Sequence, residues 1–240
     1  MRTKKTLFAL CAALLILAGC SNESSAPSAD SSSPNIQAGS EASSQAEEAP
    51  SSDVSGELTL EEVLAAKETD ASEFQYSPSA TGEGIFISGC TSDDDIIVIP
   101  EEIDGQPVVS MGINGVNLLD CRALVLPDSM GYLEDGSIGL LDNLEVLVYG
   151  SGMEEGLGIP VALYPNLRIL YVEEGAKHLP TILVAGSEKL EKVYLPASLE
   201  KEAFEASAVI LDCGDPTFVV PAGSAAEQYA IDNGYKYENP

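Results

Sequence analysis

The stretch "PNLRILYVEE", residues 165–174, is apolar on both sides. Leu167, Leu170 and Val172 can face a core, but Ile169 and Tyr171 then point the opposite way, because successive side chains of an extended chain alternate between faces. The fold must give both sets a place.

The same pattern recurs along the chain. "DDIIVIP" ends at Pro100, "CRALVLP" at Pro127, "LEVLVYG" at Gly150, "LRILYVE" at Glu173 and "LEKVYLP" at Pro196. The last three steps between these anchors are equal, and the first is slightly longer. A fixed period in the twenties with an L-x-x-L-x-L core specifies a leucine-rich repeat solenoid, mainly β, of stacked parallel strands. Six residues before the anchor stand Cys121, Leu144, Leu167 and Leu190. Three before it stand Ile97, Leu124, Leu147, Leu170 and Val193, and one before it Ile99, Leu126, Tyr149, Val172 and Leu195. Three after it come Ile103, Met130, Met153, Ala176 and Leu199, and twelve before it Ile138, Val161 and Val184. These columns are the expected interior. One coil cannot bury its apolar edge, but each neighbour extends a continuous core.

The repeat lines, the segment "VIPEEIDGQPVVSMG" and the closing "FVVPAGSAAEQYAIDNGYKYE" resemble the BspA-like leucine-rich repeat family of bacterial surface proteins. The resemblance spans residues 84–240 and implies non-covalent binding at a cell surface. Where that family has Ala-Phe and then Cys, this chain has Ser137-Ile138 and Leu141, Pro160-Val161 and Tyr164, and Leu183-Val184 and Ser187.

Five residues before the anchor the column reads Asp95, Arg122, Glu145, Arg168, Glu191. At a strand spacing of about 4.8 Å these charges alternate in sign from coil to coil, which suits a device that fixes register. Both ends carry capping signals. Thr59 and Glu62 form a capping-box pattern, with Leu58 and Val63 as its hydrophobic staple, which predicts a helix over 60–67. Ser224 with Glu227 repeats the device, and Gly234 stops that helix. Between Pro196 and Pro221 "VILDCG" and "TFVVP" read as strands, without a place on the repeat grid.

The chain opens "MRTKKTLFALCAALLILAGC": a basic start, an apolar run too short to span a bilayer, and then Leu17-Ala18-Gly19-Cys20. This resembles a lipoprotein signal, which implies cleavage before Cys20, a lipid on its thiol, and placement on the outer face of a bacterial membrane. Loss of residues 1–19 leaves 8 basic against 39 acidic side chains, a formal charge of −31. That charge argues against nucleic acid, since phosphate contacts need the opposite sign. Residues 20–56 are rich in Ser, Ala, Glu and Pro and carry too little apolar surface to offset ordering entropy, so they read as a disordered tether. The expected organisation is therefore a signal at 1–19, a tether at 20–56, an N-terminal cap at 57–93, repeats at 94–214 and a C-terminal cap at 215–240.

No catalytic constellation is visible. His178 is the single histidine and no motif pairs it with a nucleophile. Asp93, Asp94 and Asp95 lack the alternation and central Gly of a calcium loop and read as a solvated turn. Past Cys20, the three cysteines Cys90, Cys121 and Cys213 allow at most one disulfide; Cys121 is a core position, and Cys90 and Cys213 read as exposed thiols. No metal, cofactor or catalytic residue is expected. The reading is a binding protein for a protein or glycan partner, touching the membrane only through its anchor; a passive spacer and a solute receptor or enzyme are the rivals.

The outward columns carry the candidate binding surface. Ile96, Ala123, Val146, Ile169 and Lys192 form one, and Val98, Val125, Val148, Tyr171 and Tyr194 the other. A solvated sheet face alternates with polar residues, whereas these columns are mostly aliphatic or aromatic. Val125, Val146, Val148, Ile169, Tyr171 and Tyr194 are the candidates. Either residues 57–90 fold back over the strip through Phe74, Tyr76, Ile85, Phe86 and Ile87, or its Tyr171 and Tyr194 end stays open for a partner.

Overall fold

The computed structural model describes residues 56–80, 82–112, 121–133, 141–153, 164–205 and 207–240. The expectations for Cys20, the export segment, the tether before Gly56, Ile138 and Val161 lie outside them.

The strands are β1 (Phe74–Pro78), β2 (Ile85–Cys90), β3 (Ile96–Val98), β4 (Glu102–Ile103), β5 (Gln106–Met111), β6 (Ala123–Val125) and β7 (Tyr132–Leu133). They continue as β8 (Val146–Tyr149), β9 (Ile169–Val172), β10 (Ile182–Ala185), β11 (Lys192–Tyr194), β12 (Ala208–Leu211), β13 (Thr217–Val219) and β14 (Lys236–Glu238). Helices α1 (Leu60–Leu64) and α2 (Ala225–Asn233) lie near the two ends.

This is a leucine-rich repeat solenoid. Its front is a parallel sheet in the order β14-β13-β11-β9-β8-β6-β3. Ala123 pairs with Val146, Val146 with Ile169 and Ile169 with Lys192, so the period of the sequence is the strand register itself. On the back, β2, β5 and β7 run parallel, and β10 pairs with β12. The β1–β2 hairpin and the short β4 are antiparallel additions at the N-terminal end.

The stretch with no clear register now has one. Thr217 pairs with Lys192, a step slightly longer than the repeat, which carries the front sheet past position 214, while "VILDCG" supplies β12 on the back. Pro221 is thereby the next anchor.

Every described member of the inward columns is buried, including Leu124, Leu147, Leu170 and Val193, which are fully enclosed. The interior is also tied from front to back, because the buried Tyr149 hydroxyl donates to Leu183 O at 3.1 Å. At Gly150 the anchor loses its side chain for a spatial reason: a Cβ there would sit 2.4 Å from Pro127 O in the preceding coil. Cys90, Cys121 and Cys213 form no disulfide with one another; Cys121 is buried and Cys213 half-buried. Cys90, expected to be exposed, is buried, since it ends β2 on its inward face.

A polar ladder follows the anchors. Glu101 accepts from the Asp128 and Ser129 amides at 2.6 and 2.8 Å, Asp128 from the Ser151 amide at 2.6 Å, and Glu174 from the Ala197 amide at 3.1 Å. Each carboxylate satisfies turn amides of the next coil that have no strand partner. Glu173 lies inside this row. Burial, and then the neighbouring Asp128 and Glu101, raise its pKa above the ordinary glutamate value.

Two outcomes follow from this packing. Leu170→Ala should lower unfolding stability by about 2–5 kcal/mol in urea titrations, whereas Leu64→Ala, at a side chain 45% exposed, should shift it by less than about 0.5 kcal/mol. For Glu173 the sign is fixed by its raised pKa. The folded chain binds this proton more readily than the unfolded one, so stability falls as pH rises from the unfolded towards the folded pKa. Glu173→Gln should therefore raise the melting temperature at pH 7 by about 1–3 °C and flatten its slope just above the ordinary glutamate range.

Candidate binding face

The outer face of the front sheet is built from the two columns that the repeat leaves pointing outward. Ala123, Val146, Val148 and Ile169 are nevertheless buried, with exposures of 0, 0, 0 and 8%. Leu58 and Val63 cover them, at 6 and 1%, and the six form a second apolar cluster separate from the interior core. Half-buried Leu60, Ile96, Val125, Tyr171 and Tyr194 pack around it.

The cover has a local origin. Thr59 caps α1 with a complete capping box: its side chain accepts from the Glu62 amide, and the Glu62 carboxylate accepts from the Thr59 amide. The helix is shorter than the sequence implies, ending at Leu64 with Ala65 as C-cap. It is long enough to place Leu58 before its first turn and Val63 within it on one side, which is the geometry of a hydrophobic staple. That staple lies on the sheet.

Residues 56–69 thus form a strap across the front, fastened at both ends. At the far end Thr69 donates its amide to Val98 O at 2.9 Å and accepts the Val98 amide on its hydroxyl at 3.1 Å, which satisfies the edge strand β3. At the near end the strap meets the charged column. Arg122 Nη2 donates to Gly56 O at 2.6 Å, the Leu58 amide donates to Glu145 Oε2 at 3.3 Å, and Arg168 Nη2 pairs with Glu57 at 3.0 Å.

The column itself alternates in sign as its spacing implies. Arg122 lies 3.5 Å from Asp95 and 2.7 Å from Glu145, while Arg168 lies 3.7 Å from Glu145 and grips Glu191 through two parallel contacts of 3.1 Å. The three central side chains are only 16–18% exposed. Burial works against the Arg122 charge, but the Glu145 and Asp95 carboxylates outweigh it and hold its proton more tightly than in water. Around the column is an open groove of about 660 Å³, to which Asn143, Asn166 and Lys189 also contribute.

The six candidates therefore divide. Val146, Val148 and Ile169 are enclosed beneath the strap and are not an open surface, because Leu58 and Val63 occupy the space outside them. Val125, Tyr171 and Tyr194 are half-buried at its margin. The tyrosine rings stand side by side, with centroids 5.8 Å apart and planes tilted by 48°. Burial, and then Glu173 and Glu174, push the Tyr171 hydroxyl pKa upward, so it is a neutral donor at physiological pH.

The residues expected to supply a cover lie elsewhere. Phe74, Ile85 and Ile87 are buried in the interior core at the N-terminal end, because β1 and β2 turn those faces inward. Tyr76 is exposed and donates to Asp104 at 2.6 Å, and Phe86 is half-buried. Leu58 and Val63 were legible as a staple, but nothing near them in sequence says that they reach a sheet. Among the described residues no cluster of His, Cys, Asp or Glu fits a metal ion, and His178 is exposed.

No family model matches the chain, and no curated protein matches it. Among solved structures it is similar to a leucine-rich repeat protein from T. pallidum. That similarity has 20% sequence identity and a TM-score of 0.36, over 72% of this chain and 98% of that one.

Proposed function

We propose that the protein is an exported, lipid-anchored surface protein of the BspA-like leucine-rich repeat class, which binds a partner protein non-covalently through the Tyr171–Tyr194 end of its front sheet. The observation that carries this reading is the paired, half-buried tyrosines at the margin of an otherwise aliphatic column. Tyrosine offers contact area and a hydroxyl donor while losing only two side-chain torsions on binding. A face meant only for water would carry polar side chains there. The sequence "LAGC" at residues 17–20 supports the anchor, and the acidic tether supports a module held away from the membrane.

Tyr171→Ala combined with Tyr194→Ala should abolish capture of a partner by crosslinking on living cells, with a melting-temperature shift below about 5 °C. Retained capture, or a collapse of stability, would remove the tyrosine pair from the binding reading. Cys20→Ser should release the protein from the membrane fraction or leave its signal uncleaved; unchanged partition and an unchanged mature N-terminal mass would exclude the anchor.

A further inference from the structure

The strap holds the front sheet by few contacts. Leu58 and Val63 are its buried apolar anchors, while Leu64 is 45% exposed and the Glu57 side chain 76% exposed. Its single-turn helix is too short to be stable without the sheet beneath it. Apart from Thr69 at the β3 edge, the strand pairing of the sheet does not run through the strap. Its strands are paired coil to coil, and the Asp95–Arg122–Glu145–Arg168–Glu191 column closes on itself without any strap residue. A segment of few buried contacts lying over a self-sufficient scaffold belongs to the low-stability end of a protein's local opening reactions.

The ground under the strap is chemically specific. Arg168 directs Nη2 at Glu57, while its buried Nη1 faces Glu145 Oε2 at 3.7 Å, so the guanidinium holds the strap carboxylate and the column together. Glu145 accepts the amide of the next residue, Leu58, at 3.3 Å. Beyond lies the aliphatic floor of Ala123, Val146, Val148 and Ile169, which takes Leu58 and Val63. The site thus reads a carboxylate, then an adjacent apolar side chain, then a second apolar side chain further on within a capped turn of helix.

We propose that residues 56–69 are a displaceable self-ligand, and that the face beneath them is a receptor for an acidic amphipathic segment of a partner protein. The proposal rests on the reading of the front sheet as the docking face, and it adds the occupant's chemistry and its regulation. The chain's own strap competes at the high effective concentration of a tethered ligand, on the order of millimolar. A free segment of equal intrinsic affinity therefore stays excluded until the strap is weakened or outmatched. Displacement would join the aliphatic floor to Tyr171 and Tyr194 as one surface.

The test uses a fluorescein-labelled synthetic peptide of residues 56–69 and the full chain, read by fluorescence anisotropy. The peptide should bind saturably to the Leu58→Ala/Val63→Ala chain and at least tenfold more weakly to the unaltered chain. A peptide carrying Glu57→Gln should bind the double variant several-fold more weakly. Absence of binding to a folded double variant, or equal binding to both chains, would overturn the proposal. Should the double variant not fold, hydrogen exchange on the unaltered chain decides: amides of residues 60–66 should exchange at least a hundredfold faster than those of 169–172, and equal rates would mean that the strap opens only with the whole fold. A concentration-dependent dimer of the unaltered chain with exchanged straps would assign the face to a second copy and overturn the foreign partner. None of these readouts alters or reports on the Tyr171 or Tyr194 side chains, so their failure is separable from failure of the tyrosine docking reading.

Discussion

A coil of this solenoid has an edge but no interior, and that constraint governs the rest of the molecule. Leu147 is enclosed because Leu124 and Leu170 lie in register beside it, each one strand spacing away. Keeping the repeat step matters more than the identity of any one side chain, since a slip by a single position would exchange the inward and outward columns. Where the step lengthens, between Lys192 and Thr217, the extra chain is absorbed away from the front strands and their pairing is kept. Polar groups follow the same rule. The charge column before the anchor and the carboxylate-to-amide ladder after it both join like positions of successive coils, so each is a by-product of the step. Their contributions differ: the ladder meets amides that would otherwise lack partners, whereas the column's ion pairs add little net stability at the exposed ends, and where Arg122, Glu145 and Arg168 are enclosed desolvation offsets much of the attraction, so that loss of one partner costs more than the pair contributes.

Stacking leaves two open ends, and the chain treats them differently. At the first end the β1–β2 hairpin turns Phe74, Ile85 and Ile87 into the core, and Thr69 occupies both backbone groups of Val98. At the other, α2 is capped by Ser224, whose hydroxyl accepts from the Glu227 amide, and by Gly234 in the left-handed conformation at φ 74°. Glu227 does not complete a reciprocal box there. Its carboxylate accepts instead from the Gly223 amide at 2.6 Å and from Asn239 at 3.0 Å, tying the helix start to the terminal strand. That last strand, β14, is exposed along its length and carries Lys236 and Glu238, charges that discourage pairing with another chain.

What was legible in the sequence was whatever repeats. The inward columns, the sign alternation and both caps come from side chains that recur at fixed spacing or sit close to one another along the chain. The back strands were not legible in the same way: Ala208 pairs with Ile182 across a step that differs from the front repeat, and the two segments share no repeated side-chain pattern. Cys90 was misread because it stands in no repeat column, so nothing in the sequence pattern tied it to the inward face on which β2 ends. The candidate face was half legible. Its columns were visible, but its cover depends on Leu58 and Val63 meeting Val146 and Ile169, residues so distant in sequence that only the folded stack brings them together.

The front face changes character along the stack, and the order is informative. Over β6, β8 and β9 it is aliphatic and covered; at Tyr171 and Tyr194 it is aromatic and half-open; on the same strand as Tyr194, Lys192 pairs with Glu238 across the intervening strand. A sheet that had only to remain soluble would use charged or hydroxyl side chains in all of these coils, as it does at Thr217, Lys236 and Glu238. Aliphatic residues need a cover, and a cover held by two buried side chains and a handful of polar contacts opens far more readily than a coil unstacks. Placing the aliphatic stretch under the strap and the amphipathic tyrosines at its margin keeps the apolar area dry at rest, yet leaves it continuous with a surface already accessible to a partner. That order is hard to derive from folding requirements alone, and it follows directly if the face is to be hidden only part of the time.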